Sequence, residues 1–263
     1  MSTLTEPARP IVPSRVEAAG IPFTRLCLVE FRKQIDTRAG IWLLIVIALV
    51  NTALIVLTLT TAPPVALTWQ NLTIAASFGQ LMLLPLVGVM AATGEWSQRT
   101  AMTTFALEPR RTRVNLAKLA STGVLALIVM GLTLIVGALL NVVGLVWRDG
   151  DGDWALDWAV LAGTTLALLL VVVQGVAFGL AFLSTPVAIV AYLALPTLWS
   201  VLTGFIAALA GPAQWLDMNF TLFTLSAGEM TGSDWPRLGV SVAVWVGLPL
   251  AAGFWRTARR DVA

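Results

Sequence analysis

The chain of 263 residues contains no histidine and one cysteine, Cys27. Without imidazole there is no His-based acid–base chemistry, and most metal sites lose their commonest ligand. A single cysteine excludes an internal disulfide and leaves the redox compartment unreadable. Charged residues are scarce, at 11% against about 25% in soluble domains. No G-x-x-x-x-G-K-S/T segment occurs, and neither lysine, Lys33 or Lys118, follows a glycine, so the chain has no P-loop nucleotide site of its own.

What is present is apolar surface. Hydrophobic residues make up 58% of the chain and the mean hydropathy is +0.87. A water-soluble fold of this length could not hide that surface, and a lipid-facing exterior is the simplest remedy. Six runs without Asp, Glu, Lys or Arg stand out, at residues 41–61, 72–93, 119–147, 158–183, 186–210 and 238–255. Each is near or above the ~18–20 residues a helix needs to cross hydrocarbon. The fourth and fifth are separated by Ser184-Thr185, with Pro186 opening the fifth, which predicts a tight hairpin. Charge-free spans also exclude two further classes. Ion-coupled carriers usually keep ionisable groups at membrane depth. Intramembrane hydrolases need a Ser–His pair, embedded aspartates or a His-held metal.

The basic residues set an orientation. Arg9, Arg15, Arg25, Arg32, Lys33 and Arg38 precede the first span. Arg99, Arg110, Arg111, Arg113 and Lys118 follow the second, and Arg256, Arg259 and Arg260 follow the sixth. The opposite loops hold only Arg148 and Arg237, together with Asp149, Asp151, Asp153, Asp157, Asp217, Glu229 and Asp234. Both termini are therefore expected in the cytoplasm, and the basic pI near 9.2 reads as a topology signal, with no nucleic acid as partner. Trp42, Trp96 and Trp255 fall at predicted inner ends; Trp69, Trp147, Trp154, Trp158, Trp215 and Trp235 fall at or near outer ends, as an interfacial belt requires. Trp199 and Trp245 fall within spans and read as packing residues. About 40 polar-rich residues precede the first apolar run, so no cleavable signal peptide is expected. Residues 1–20 read as a mobile cytoplasmic N-terminus and 21–263 as a single transmembrane domain. Loop 211–237 is expected to hold short interfacial helices.

Two polar segments stand out. In residues 24–38, Cys27, Leu28, Phe31 and Ile35 fall on one side of a helix, and Arg25, Arg32 and Asp36 on the other, which predicts an amphipathic helix on the cytoplasmic membrane surface. Cys27 reads as a small apolar residue. In the loop 94–118, Ala101, Phe105 and Leu107 predict a short helix that Pro109 ends near Leu107 or Glu108. The amides Asn51, Gln80, Asn141 and Gln174 lie within or near spans; interhelical bonding is the plainer reading, and Gln80, Asn141 and Gln174 are also candidates to line a path. Gly175 and Gly179 form a G-x-x-x-G, and Pro85 and Pro196 are candidate kinks.

Within loop 94–118 the order Glu95, Arg99-Thr100, Pro109-Arg110 and Ala117-Lys118 resembles permease subunits of type-2 ATP-binding-cassette exporters. That family has a glutamate closing the second span, a Gly-Thr-like pair, a Pro-x-Arg-like turn and an Ala-Lys entering the third. The ending Arg259-Arg260-Asp261 is similar to the family's, and Arg99 departs from it by standing where glycine is usual. The resemblance implies an all-α polytopic protein of six transmembrane helices preceded by an N-terminal amphipathic interfacial helix, in the plasma membrane of a bacterium. It implies a coupling loop carrying Glu95, Arg99, Thr100, Phe105, Pro109, Arg110 and Lys118, and a connecting helix carrying Arg25, Phe31 and Arg32. It also implies two partner ATPase subunits, which would bind the ATP and magnesium, and a second permease copy or paralogue. The cargo would be an amphipathic or hydrophobic drug, lipid or peptide. The competing reading is a membrane scaffold or immunity protein that transports nothing.

Overall fold

The computed structural model describes residues 20–260. The rest of the stretch read as mobile, with Arg9 and Arg15, and Asp261 of the C-terminal ending lie outside them. The described residues are helical and form no strand. The helices are α1 (Phe23–Asp36), α2 (Arg38–Thr61), α3 (Trp69–Ser97), α4 (Ala101–Leu107), α5 (Arg111–Arg148), α6 (Trp158–Phe182), α7 (Thr185–Phe205), α8 (Ala210–Leu216), α9 (Met218–Ser226), α10 (Asp234–Val242) and α11 (Leu248–Arg259). Six helical segments are long and apolar enough to cross a membrane: α2, α3, α5, α6, α7 and the segment Asp234–Arg259. The chain therefore fits a multi-pass membrane protein.

Local sequence accounts for most helix starts. Thr37, Thr68 and Asp157 cap α2, α3 and α6 by accepting from the amides of Gly40, Asn71 and Ala159. The α6–α7 hairpin turns on Leu183, which sits at φ 53, and Pro186 occupies the first turn of α7. The last span is not uniform. Residues Ala243–Gly247 form a π turn between α10 and α11. Pro249 follows and has no amide to donate to the carbonyl of Trp245, so the α pattern cannot run through unchanged.

Several boundaries differ from the hydropathy reading. Helix α5 starts at Arg111, eight residues before the predicted span, and its 38 residues reach roughly 57 Å at 1.5 Å per residue. Nothing between Pro109 and Arg148 breaks a helix, so α5 runs past the edge of its apolar run. Helix α3 likewise continues to Ser97, so the loop read as 94–118 shrinks to the turn 98–100, helix α4 and residues 108–110. Helix α7 stops at Phe205, short of the predicted Ala210. The region 211–237 holds α9, most of α8 and the start of α10.

Helices α3 and α6 form the centre of the bundle. Gly175 lies so close to the backbone of Pro85 that no side chain would fit, and a Cβ on Gly88 would stand 2.7 Å from the carbonyl oxygen of Val172. A Cβ on Gly179 would stand 2.6 Å from that of Ala92. The G-x-x-x-G of α6 thus seats against α3 itself. A core of Ile47, Leu84, Val87, Leu125, Met130, Leu168 and Val172 joins α2, α3, α5 and α6. The outer surface carries exposed apolar residues and tryptophans, among them Trp42, Trp147, Trp158, Trp235 and Trp255.

The described ends of the chain meet at one end of the bundle. Arg113 donates to the carbonyl of Ile21, and Arg111 donates to the carbonyls of Thr257 and Arg260. At the opposite end, Arg148 donates to the carbonyls of Thr60 and Ala62, and the indoles of Trp69 and Trp154 pack edge to face at 5.7 Å.

Candidate functional site

The end that holds both described termini also holds α1 and α4, and there the structure departs most from a helical-wheel reading. Helix α1 turns Arg25, Arg32 and Asp36 outward, as the wheel predicts, but buries Glu30 and half-buries Lys33. Its fully buried stripe is Leu26, Glu30 and Gln34, spaced four apart, while Leu28 and Val29 are exposed and Phe31 is half-buried. The wheel separates Cys27, Leu28, Phe31 and Ile35 from Arg25, Arg32 and Asp36. It does not single out the stripe Leu26, Glu30 and Gln34, whose polar members are buried because partners meet them on α3 and α5.

Those partners make a four-membered ionic cluster. Lys118 Nζ lies 2.8 Å from Glu30 Oε2, 2.8 Å from Glu95 Oε2 and 2.8 Å from the carbonyl oxygen of Ala91. Lys33 Nζ lies 2.6 Å from Glu30 Oε1 and 2.9 Å from Glu95 Oε1. Three members are nearly sealed: Lys118 and Glu30 are 2% exposed and Glu95 5%, whereas the Lys33 side chain is 39% exposed. Two carboxylates and two ammonium groups balance, which is what makes the burial affordable. Burial disfavours the charged Lys33 ammonium, but Glu95 and Glu30 outweigh it and raise its pKa above the ordinary lysine value. The Lys33 ammonium therefore stays charged through neutral pH, and its ion pairs are lost on the alkaline side as the pH climbs past that raised value. Gln34 adds hydrogen bonds from its amide to Ser121 and Thr122 of α5.

A cavity of about 460 Å³ opens beside this cluster. Its walls come from α1, the bend at Thr37–Gly40, α3, α4 and Thr185 at the head of α7. Glu30, Lys33, Gln34, Glu95 and Lys118 all line it, with Val87 and Met90 among its apolar wall.

Helix α4 is carried on a tight turn. Helix α3 ends with Gln98 bonding back to Gly94, Arg99 at φ 57, and the amide of Thr100 donating to the carbonyl of Glu95. This is the Schellman pattern, with Arg99 in the left-handed position that glycine fills without strain. The turn forms without glycine, and Arg99→Gly is expected to raise stability by about 1 kcal/mol. Thermal unfolding in detergent would show a midpoint higher by roughly 2–4 °C. An unchanged or lower midpoint would mean that the Arg99 side chain offsets its own backbone strain.

The other loop residues divide sharply. Phe105 is half-buried, 6.1 Å from the Trp96 ring, with the Arg111 guanidinium 5.0 Å from its centroid. Arg260 stacks over the other partner, Trp96, at 4.9 Å. Buried Glu108 pairs with Arg113 at 2.7 Å. Thr100, Pro109 and Arg110 are exposed, as are Arg99, Arg25 and Arg32. Met102 and Leu107 also face outward, at 57% and 70% exposure. So α4 is held through Phe105 and turns Met102 and Leu107, one near each of its ends, outward.

Lys118 and Glu95 thus belong to the buried cluster, along with Glu30 and Lys33, whose pairing the loop pattern does not reveal. The signal for Glu30 was available in α1, where Leu26, Glu30 and Gln34 share a face. Cys27 packs beside Leu26, and burial raises its thiol pKa.

The amides considered for a path are enclosed within the chain. Gln80 is fully buried, bonded to Ser77 and Met130 Sδ and accepting from Thr133; Asn141 is fully buried and donates to the carbonyl of Asp153. Gln174 is 3% exposed. Of the two inner tryptophans, Trp245 donates to the carbonyl of Leu216, and the buried Trp199 indole nitrogen has no partner among the described residues. Comparison of the chain with protein-family models, curated proteins and solved structures found no match.

Proposed function

We propose that the chain is the membrane-spanning permease subunit of an ATP-driven exporter of the type-2 cassette class, with both termini in the cytoplasm. The observation that carries this reading is α4: a seven-residue helix between two membrane-length helices, anchored by the cation–π contact of Arg111 on Phe105 and carrying the exposed Met102 and Leu107. Exposed apolar side chains on a short preformed helix suit a cleft on a partner, because they contribute buried area without ordering a loop. The exposed Arg25, Arg32, Arg38, Arg99, Arg110 and Arg256 at the same end support a cytoplasmic position by the positive-inside rule. Helix α1 acts as the connecting helix. The chain lacks a nucleotide site, so ATP and magnesium bind to two copies of a separate ATPase, and a second permease copy or paralogue completes the assembly.

In this mechanism the ATPase pair closes on ATP and moves α4. The motion passes through the Schellman turn to α3 and through Glu108–Arg113 to α5, and the ionic cluster moves α1 with them. The path opens between permease subunits for an amphipathic or hydrophobic cargo.

The test uses tagged full-length chain purified from its native membrane after mild cross-linking. A cassette ATPase, identified by its phosphate-binding motif, is expected in equimolar amount. The double substitution Met102→Asp, Leu107→Asp should cut its recovery at least about tenfold, since burying two carboxylates in an apolar cleft is costly. The thermal midpoint of the permease should not move, because both side chains face outward. Undiminished ATPase recovery would overturn the assignment of α4. Absence of any ATPase would overturn the exporter reading and favour the scaffold or immunity protein.

A further inference from the structure

The cavity beside the ionic cluster has a chemistry of its own. At about 460 Å³ it falls in the ~300–1,000 Å³ range of small-molecule sites. Its polar wall is rich in acceptors: the carboxylates of Glu30 and Glu95, and Gln34. Gln34 is 4% exposed and leaves its Oε1 without a partner among the described residues. A buried carbonyl oxygen left unpaired costs free energy that a donor in the cavity would recover.

The two lysines are not equivalent. Lys118 is sealed, with hydrogen bonds to Glu30 Oε2 and the carbonyl of Ala91 and an ion pair to Glu95 Oε2, each at 2.8 Å, so its ammonium is fixed. Lys33 holds two partners and its side chain is 39% exposed. Its flexible stem can carry the ammonium out to water. With Lys118 neutralising one carboxylate, departure of Lys33 leaves one negative charge in a pocket with apolar walls at Val87, Met90 and Ala91. An anion entering there would meet two carboxylates. A neutral ligand would leave the Lys33 pairs in place and form no ion pair with Glu30 or Glu95.

We propose that this cavity binds an organic ammonium bearing a compact apolar body, whose cation takes the place of Lys33 between Glu30 and Glu95. The amine would also donate to the free oxygen of Gln34, and its apolar body would lie against α3. That such a ligand is the cargo rests on the exporter reading; that it binds does not.

The test needs only the full-length chain in phosphatidylcholine nanodiscs and tritiated 1-adamantylamine, a rigid cage with one ammonium. Saturable binding is expected, with 1-adamantanol, the same cage without charge, failing to compete. Lys33→Gln should bind the amine roughly tenfold tighter, because the internal competitor is gone. A purely structural role for Lys33 predicts no such gain. Discs of phosphatidylethanolamine separate two sources of the ammonium: lost amine binding assigns it to a lipid headgroup, and retained binding to a free amine. Absence of saturable binding, equal competition by adamantanol, or unchanged or weaker binding by folded Lys33→Gln would overturn the site. ATPase recovery with the parent chain is read separately, so the site and the exporter reading can fail independently.

Discussion

Replacing Lys118 with alanine is expected to be among the most damaging single substitutions in the chain. The ammonium is buried and holds Glu30 and Glu95, each at 2.8 Å, as well as the carbonyl of Ala91. Removal leaves two enclosed carboxylates with only Lys33 between them, and breaking a buried ion pair on one side costs about 3–5 kcal/mol. For a chain of this size that corresponds to a midpoint lower by about 10 °C, read by tryptophan fluorescence during thermal unfolding in detergent. The double variant Lys118→Met, Glu30→Gln restores neutrality around the remaining Lys33–Glu95 pair and should recover more than half of the loss. Recovery would assign the cost to unbalanced charge and not to the missing lysine stem. A Lys118→Ala midpoint within about a degree of the parent would mean that the cluster does not hold α1 to α3 and α5.

Gly175→Ala should be comparably severe for a different reason. The new Cβ would strike the backbone of Pro85 on α3, and backbone cannot swing aside as a side-chain tip can. The only relief is separation of α3 and α6, which would also loosen the close approaches at Gly88 and Gly179. Overpacking costs about 1–3 kcal/mol, and a clash between two central helices belongs at the upper end. Gly131→Ala is the control, since nothing lies within 4 Å of a Cβ there. It should be neutral, or gain up to about 1 kcal/mol of helix propensity. Equal midpoints for the two variants would show that α3 and α6 are not in close contact at Pro85.

The two substitutions mark different degrees of legibility. Gly175 and Gly179 are recognisable as a packing motif, but such motifs recur by chance, and only the position of Pro85 and Ala92 across the interface gives this one a partner. Lys118 is visible as the basic residue ahead of an apolar run. Its burial is not, because hydropathy ends the span at the charge while the helix continues back to Arg111. The stop of α7 at Phe205 was equally hidden. Residues 206–210 contain no breaker, and the chain turns there to fold α8 and α9 back, with Trp245 donating to Leu216 and Ser200 to Asp217.

By itself the sequence determined the class of the protein: six apolar segments separated by charged ones, because lipid tolerates only runs of apolar side chains long enough to cross it. It also determined local punctuation, such as the short helix ended by Pro109 and the hairpin at Ser184-Thr185 that Pro186 opens. Tertiary structure alone decided which polar residues are buried together. Glu30 and Lys33 lie 62 or more positions from Glu95 and Lys118, and no local pattern relates them. Lys33 meets Glu30 within α1, but Lys118 of α5 and Glu95 of α3 join them only once α1 has packed against α3 and α5, and that meeting is what makes the buried carboxylates tolerable.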